Sequence, residues 1–321
     1  MSASKARYSE FCRAEYVPLQ LQPWWLDAVC NADRWSAVLS YDKGGQVRGV
    51  LPYFLNRRWG LSIIQLPPFT AYAGPWLVYP DSPDFKENSC YGFERQVMAA
   101  LIAQLPRVAF FQQNFLPEVQ NWLPFYWTGF HQTTRYTYLL PDTSEPEELY
   151  RNLKNKLRTD LRKAERETEV VRECDLDLLF WLNQRSFNRK GLRPPYRRAP
   201  FENLHAALKE RDQSACFIAR GRANGAPHAA LYLAHDARQA TLLLSGFDPA
   251  LGRRSRALHG LYWQAILFCA EHGLGLDFEG SMEPGIERAL RAFGGKLTPY
   301  FQVWKAGNRL LTVTMNLLRK S

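Results

Sequence analysis

Two carboxylates separated by one residue, in Leu276-Asp277-Phe278-Glu279-Gly280-Ser281, are the side chains of this sequence most readily turned to acid–base chemistry. In a β-strand alternate residues share a face, so Asp277 and Glu279 are expected to point one way and Phe278 the other. Acids on an interior-leaning face are costly unless they are paired or used. A desolvated carboxylate has a raised pKa and can take a proton from an attacking ammonium group. The same acids could equally serve as ion-pair partners for the Arg/Lys-rich segments, and the sequence leaves both roles open. A second cluster is cationic. Lys154, Arg158, Arg162 and Arg166 recur every four residues beside an apolar stripe of Leu149, Leu153, Leu157 and Leu161. Like charges at this spacing oppose an isolated helix, so the ladder is either a solvated face relieved by Asp160, Glu165 and Glu167 or a seat for an anion. A third cluster, Arg253-Arg254-Ser255-Arg256, precedes the apolar run Leu258–His272. Placed at a helix N-terminus, such residues reinforce an anion site built from free backbone N–H groups.

The elements that must hold these clusters are read from periodicity and punctuation. Strand-like runs at Trp35–Tyr41 and Val47–Leu55 flank Asp42-Lys43-Gly44-Gly45, a hairpin signal. Pro146–Glu169 reads as one long basic helix with Ser144 as N-cap and Glu147 as its box partner. Helices are expected at Asp175–Arg185, Phe201–Arg211 and Leu258–His272, the last closed by Gly273. Strands are expected at Ala215–Arg220, Ala226–His235, Gln239–Phe247 and Leu276–Glu279, and at Pro299–Lys305. The break Pro141-Asp142-Thr143-Ser144-Glu145-Pro146 divides the 321 residues into two domains, 1–140 and 141–321. Helices between antiparallel and mixed strands make the fold class α/β (α+β), with layered sheets flanked by helices. No repeat is evident at residue level.

Composition narrows the function classes. Hydrophobic residues at 46% and charged residues at 22% describe a globular chain. The net charge of +10 is uneven: residues 1–140 carry +2 and residues 141–321 carry +8. A basic second half favours an anionic partner such as a nucleotide, RNA, a phospholipid or a phosphorylated substrate, although charge can also serve solubility alone. The six cysteines (Cys12, Cys30, Cys90, Cys174, Cys216, Cys269) contain no Cys-x-x-Cys pair, so neither a zinc site nor a disulfide is expected, and no metal site is. No apolar run is long enough to span a bilayer, and Met1–Tyr16 lacks the continuous apolar stretch of a secretory signal. The expectation is a cytoplasmic protein.

The second half resembles the FemABX-like branch of the GNAT superfamily, the transferases that attach amino acids to peptidoglycan precursors. The residues that carry the resemblance are Asn152–Ala164 (NLKNKLRTDLRKA), Phe187–Leu192 (FNRKGL), Leu244–Pro249 (LSGFDP), Tyr262–Gly273 (YWQAILFCAEHG), Leu276–Ser281 (LDFEGS) and Pro284–Gly295 (PGIERALRAFGG) followed by Pro299–Lys305. In the first half Leu66–Trp76 (LPPFTAYAGPW) is similar to the same group. The resemblance implies tandem GNAT-like domains, each a mixed, mostly antiparallel sheet flanked by helices, the first degenerate and the second carrying acyl transfer to an amine. It assigns Lys154, Arg158, Arg162, Arg253, Arg254 and Arg256 to the phosphates of the donor, Asp277 and Glu279 to the acceptor side, and Tyr262 or Tyr196 to hydrogen-bond donation. Arg189, Lys190, Tyr196, Ser245 and Ser281 fall among the substrate-binding positions. No permanently bound cofactor is implied. The donor is aminoacyl-tRNA or an acyl thioester of coenzyme A, and the acceptor is an amine, of a small molecule or a cell-envelope precursor, with peripheral membrane contact an open expectation. One departure favours tRNA: where typical GNAT enzymes place a glycine-containing loop around the pyrophosphate of coenzyme A, this chain has Arg253-Arg254-Ser255-Arg256-Ala257-Leu258. A non-catalytic RNA-binding or scaffold module on the same fold is the rival reading, and the acidic pair argues against it.

Overall fold

A computed structural model describes residues 3–58, 60–81, 85, 87–280 and 282–307. The first unit runs to Arg135 and takes back the described residues from Pro299 onward; the second is Tyr136–Thr298. The first contains α1 (Ala3–Ala14), α2 (Pro23–Cys30), β1 (Trp35–Tyr41), β2 (Val47–Arg58), β3 (Leu61–Gln65), β4 (Trp76–Leu77), α3 (Glu87–Gln104), β5 (Phe110–Asn114) and α4 (Leu123–Trp127). The strand β6 (His131–Leu140) carries the chain across. The second unit continues with α5 (Pro146–Asn152), α6 (Asn155–Glu167), β7 (Thr168–Val171), α7 (Leu176–Asn188), α8 (Ala199–Lys209), β8 (Ser214–Gly221), β9 (Pro227–His235), β10 (Gln239–Phe247), α9 (Leu251–Ser255), α10 (Ala257–His272), β11 (Gly275–Asp277) and α11 (Pro284–Arg291). The last described strand, β12 (Lys296–Ala306), returns to the first unit.

The strands of the two units repeat one topology. In the first, a meander β1-β2-β3 is followed by α3 and by β5, parallel to β3, with β12 antiparallel beyond it. In the second, the meander β8-β9-β10 is followed by α10 and by β11, parallel to β10, with β6 antiparallel beyond it and β7 on the far edge. Each parallel pair therefore needs a helical crossover, supplied by α3 and by α10. The strand that closes each set comes from the other half of the chain. This corrects the expected division at 140/141. The end of β6 belongs with the second unit and β12 with the first, because a strand's apolar pattern does not say which unit it joins.

In the second unit helices cover both faces of the sheet. Leu231 and Leu233 of β9 join α10 in one apolar cluster with Leu157 and Leu161 of α6. The intervening Tyr232 meets Phe201 of α8, with ring centroids 5.0 Å apart, as strand alternation requires. Helix α10 buries Leu261, Tyr262, Ala265, Ile266, Phe268 and Cys269, so nearly its whole circumference is apolar, as a helix between a sheet and α6 must be. It ends where expected, at Gly273 in the left-handed region.

Two further expectations are overturned. The single helix over Pro146–Glu169 is broken: Leu153 and Lys154 are extended (ψ 145 and 143), and Glu145 rather than Ser144 precedes the first helical residue. Asn152 and Asn155 flank the break, and asparagine favours helix ends over interiors. The leucine spacing survives because Leu153 is buried from the extended link, as are Leu157 and Leu161 from α6. Cys174 and Cys216 are bridged, with Cα atoms 5.0 Å apart. They lie 42 residues apart in sequence, one before α7 and one within β8, so no local spacing could announce the pair.

Candidate functional site

The parallel ladder between β10 and β11 lasts three residues, from Gln239↔Gly275 to Thr241↔Asp277. Beyond it β10 runs on to Phe247, while the chain after Asp277 turns away through Glu279 (φ 52) and Gly280 (φ 35). The strands part, and a cavity of about 470 Å³ opens between their continuations. Its walls come from Leu242–Ser245 and Phe247 of β10, Leu258 and Tyr262 of α10, Phe278–Gly280, α7 with the loop after it, and Ile286 and Leu290 of α11.

Strain and close contact fix this floor. Glu279 is a non-glycine residue in the left-handed region, a conformation that persists only when its surroundings impose it. The constraint is Asp277. Buried at 2% exposure, its carboxylate accepts from the Thr137 hydroxyl at 2.6 Å and from the Glu279 backbone N–H at 2.8 Å. Gly280 completes the turn against β6: a Cβ there would lie 2.2 Å from the Tyr136 carbonyl oxygen and 2.4 Å from the Thr137 Cα.

Past the parting, β10 has no strand partner on the β11 side among the described residues, and α7 supplies substitutes. The Asn183 amide donates to the Ser245 carbonyl at 2.6 Å and accepts from the Tyr196 hydroxyl. The Ser186 hydroxyl accepts from the Phe247 N–H at 2.9 Å. Burial pushes the Tyr196 phenol up. It also raises that of Tyr262, against the opposing effect of a hydrogen bond with Ser245, so the Tyr262 hydroxyl keeps its proton at neutral pH. At the rim Lys190 pairs with Glu283 at 2.5 and 2.7 Å. The Arg189 guanidinium lies 5.7 Å from the Phe247 ring centroid.

Of the residues singled out in the sequence, the cavity brings together Glu279, Tyr262, Arg189, Lys190, Tyr196 and Ser245. Ser281 lies outside the described residues. Asp277 does not line the cavity. The expectation that it shares a face with Glu279 fails because the strand ends at Asp277, and strand alternation does not hold through a left-handed residue. The cationic ladder is also elsewhere. Lys154 precedes α6, and Arg158 bonds the Asn155 side chain and, at 3.4 Å, the Arg151 carbonyl. Arg162 borders a separate groove near Trp263 and Arg222.

The Arg253–Arg256 segment is not the open loop expected. Asp248 accepts from the backbone of Ala250 and Leu251, both at 2.9 Å, and starts the short helix α9. It pairs with Arg185 at 2.9 Å. Burial alone would raise the Asp248 pKa, but those backbone donors and Arg185 bring it below the usual carboxylate range. Arg253 and Arg254 are exposed on α9. Arg256, left-handed at φ 64, turns its guanidinium to Asp160 at 3.2 Å. Only Leu258, in the first turn of α10, reaches the cavity from this segment. Asn183 and Ser186 were not singled out from the sequence, although a signal for them was available. With Leu179 and Leu182 they recur at i, i+3, i+4 and i+7, polar residues on the buried stripe of a helix.

Residues 151–284 match the family model described as an acetyltransferase (GNAT) domain, and all of them lie in the second unit. No curated protein matches the chain. Among solved structures, the fold is similar to that of FemX, with a TM-score of 0.64 at 14% identity over 94% of this chain and 96% of that one. It is also similar to the C-terminal domain of a putative lysylphosphatidylglycerol synthetase from Agrobacterium fabrum (TM-score 0.52, 14% identity, 98% and 94% covered). A tandem GNAT protein from the clavulanic acid biosynthesis pathway scores 0.50 at 12% identity, with 95% of each chain covered. Residues 151–284 thus match a GNAT acetyltransferase domain, and the fold of the chain is similar to that of FemX and of a tandem GNAT protein.

Proposed function

We propose that the protein is an N-acyltransferase whose acyl transfer takes place in the cavity between β10 and β11, with Glu279 as the general base. The observation that carries this reading is the placing of one strained carboxylate at the floor of a largely apolar cleft opened by the parting of two parallel strands. Transfer begins with an acceptor ammonium, which gives one proton to the Glu279 carboxylate. The neutral nitrogen attacks the acyl carbon, forming the C–N bond and a tetrahedral oxyanion, to which the Tyr262 hydroxyl can donate. As the bond from the acyl carbon to the leaving oxygen or sulfur breaks, the second nitrogen proton is released and the leaving group departs protonated. One acyl donor and one ammonium thus yield an amide, the freed carrier and one proton.

The anionic carrier would lie toward the N-terminus of α10, where no side chain caps the first turn and Arg253 and Arg254 are within a turn of Arg256. A primary amine of an envelope precursor is the acceptor class that the resemblance to FemABX transferases supports. The test is transfer from acyl thioesters and aminoacyl esters to primary amines. Glu279→Gln is expected to lower turnover about 10²–10⁴-fold and to remove the acidic limb of the pH–rate profile. Full turnover in that variant would overturn the assignment.

A further inference from the structure

The polar groups of the cavity are largely committed to one another. Asn183 spends its amide on Ser245 and Tyr196, Ser186 holds the backbone of Phe247, and Lys190 is paired with Glu283. What remains for the transferred group, apart from Glu279 and Tyr262 that the reaction itself uses, is apolar wall. Leu242, Leu243 and Leu244 all line the cavity, although successive strand residues ordinarily face opposite ways. A shift in the β9–β10 register between Leu242 and Leu244 makes this possible, since a bulge re-aims side chains. Leu258, Ile286 and Leu290 extend the wall, and Ile286 remains 38% exposed at the edge.

On the reading of this cleft as an acyl-transfer site, we infer that the transferred group is a straight apolar acyl chain of medium length rather than acetyl or aminoacyl. An acetyl group would leave most of the 470 Å³ empty. At about 30 Å³ per water-sized group the cavity takes roughly sixteen heavy atoms, an acyl chain of about eight to ten carbons with its carbonyl together with the attacking amine. An α-ammonium would be stripped of water against leucine, at a cost that the committed polar groups do not offset and that Glu279 could offset only by giving up its role as base.

Straight-chain alkanoates from acetate to dodecanoate, titrated into the full chain by calorimetry, test the inference whichever carrier delivers the acyl group. Affinity should rise about threefold to fourfold per methylene up to about eight to ten carbons and then level off. The 2-amino derivative of octanoate should bind at least about tenfold more weakly. Ile286→Asp, at an exposed position, should weaken octanoate about tenfold and leave acetate unchanged; Leu258→Trp should shorten the preferred chain. A flat chain-length series, an equally tight 2-amino derivative, or variants without effect would overturn the inference. Acetyl and octanoyl thioesters of coenzyme A, offered with a primary amine, separate the chain-length inference from acyl transfer itself. Faster acetyl than octanoyl transfer refutes the medium chain and leaves acyl transfer standing. A steep alkanoate series with no turnover of any thioester or aminoacyl ester refutes acyl transfer and leaves an apolar binding pocket.

Discussion

Gly246 lies in β10 opposite Ala230 of β9, and α7 rests directly on it. A Cβ at this position would stand 2.2 Å from the Asn183 nitrogen, 2.4 Å from the Leu182 carbonyl carbon and 2.5 Å from the Asn183 Cα. All three are helix backbone atoms and cannot swing aside as a side chain can. Ordinary carbon contacts lie near 3.5–4.0 Å, so Gly246→Ala requires α7 to withdraw by about 1 Å or more. Overpacking of this kind costs about 1–3 kcal/mol. The withdrawal also stretches the Asn183 bond to Ser245 and the Ser186 bond to Phe247, now 2.6 and 2.9 Å. Each is worth about 0.5–1.5 kcal/mol, which brings the expected loss to roughly 2–6 kcal/mol. Urea unfolding followed by circular dichroism would measure it. Gly92→Ala provides the control, because Gly92 is helical with nothing within 4 Å of an added Cβ, and there alanine should stabilise by about 0.5–1 kcal/mol. If Gly246→Ala unfolds within about 0.5 kcal/mol of the parent protein, the seating of α7 on β10, and with it the shape of the cavity wall, is wrong.

The two acids should separate by readout. The Thr137 hydroxyl and the Glu279 N–H donate to the same Asp277 oxygen, which Asp277→Asn keeps as a weaker, uncharged acceptor, so the variant should lose about 1–2 kcal/mol in urea unfolding. Whatever activity the variant retains should keep the acidic limb of the pH–rate profile; its disappearance in Asp277→Asn would make Asp277 the base. Stability should also fall as pH is taken from 7 to 5. Burial holds the pKa of His228 below the usual imidazole value despite Glu167 and Asp248 nearby, and burial does the same for His259 despite Asp160. A depressed folded-state pKa means that the unfolded chain binds protons first. The loss therefore begins near the unfolded value of about 6.5 and continues until the folded pKa is passed. Replacing both histidines with glutamine should flatten the pH dependence of the unfolding midpoint, and an unchanged slope would refute the assignment.

Much of the architecture could be read from local pattern. Alternation and the Asp42–Gly45 turn give the first hairpin, whose Asp42 carboxylate accepts from the Gly44 and Gln46 N–H groups at 2.9 Å each. The apolar run before Gly273 gives α10. What could not be read is partner choice. Nothing in residues 131–140 or 296–306 tells that each strand completes the set of strands begun by the other half, since an apolar strand satisfies either. The four-residue leucine spacing misled in a related way. It persists through an extended link because burial constrains the side chain and not the backbone beneath it, so the arginine ladder inferred from one continuous helix lost its first member.

The candidate site was hardest to read for a reason that also locates it. Strand alternation at Leu276–Ser281 paired Asp277 with Glu279, and the structure divides them: one acid is buried to hold the turn and the other is exposed to the cavity by it. Leu242–Leu244 break alternation through a register shift, Glu279 breaks it through a positive φ, and α7 takes the place of a missing strand. Each departure costs stability locally, and two of them are held in place by specific partners, Asp277 for Glu279 and Asn183 with Ser186 for the open edge of β10. Regular continuation of β10 and β11 would have satisfied the same backbone groups with no such devices and would have left no cavity. The concentration of exceptions at one parting of two strands is the physical reason to place chemistry there.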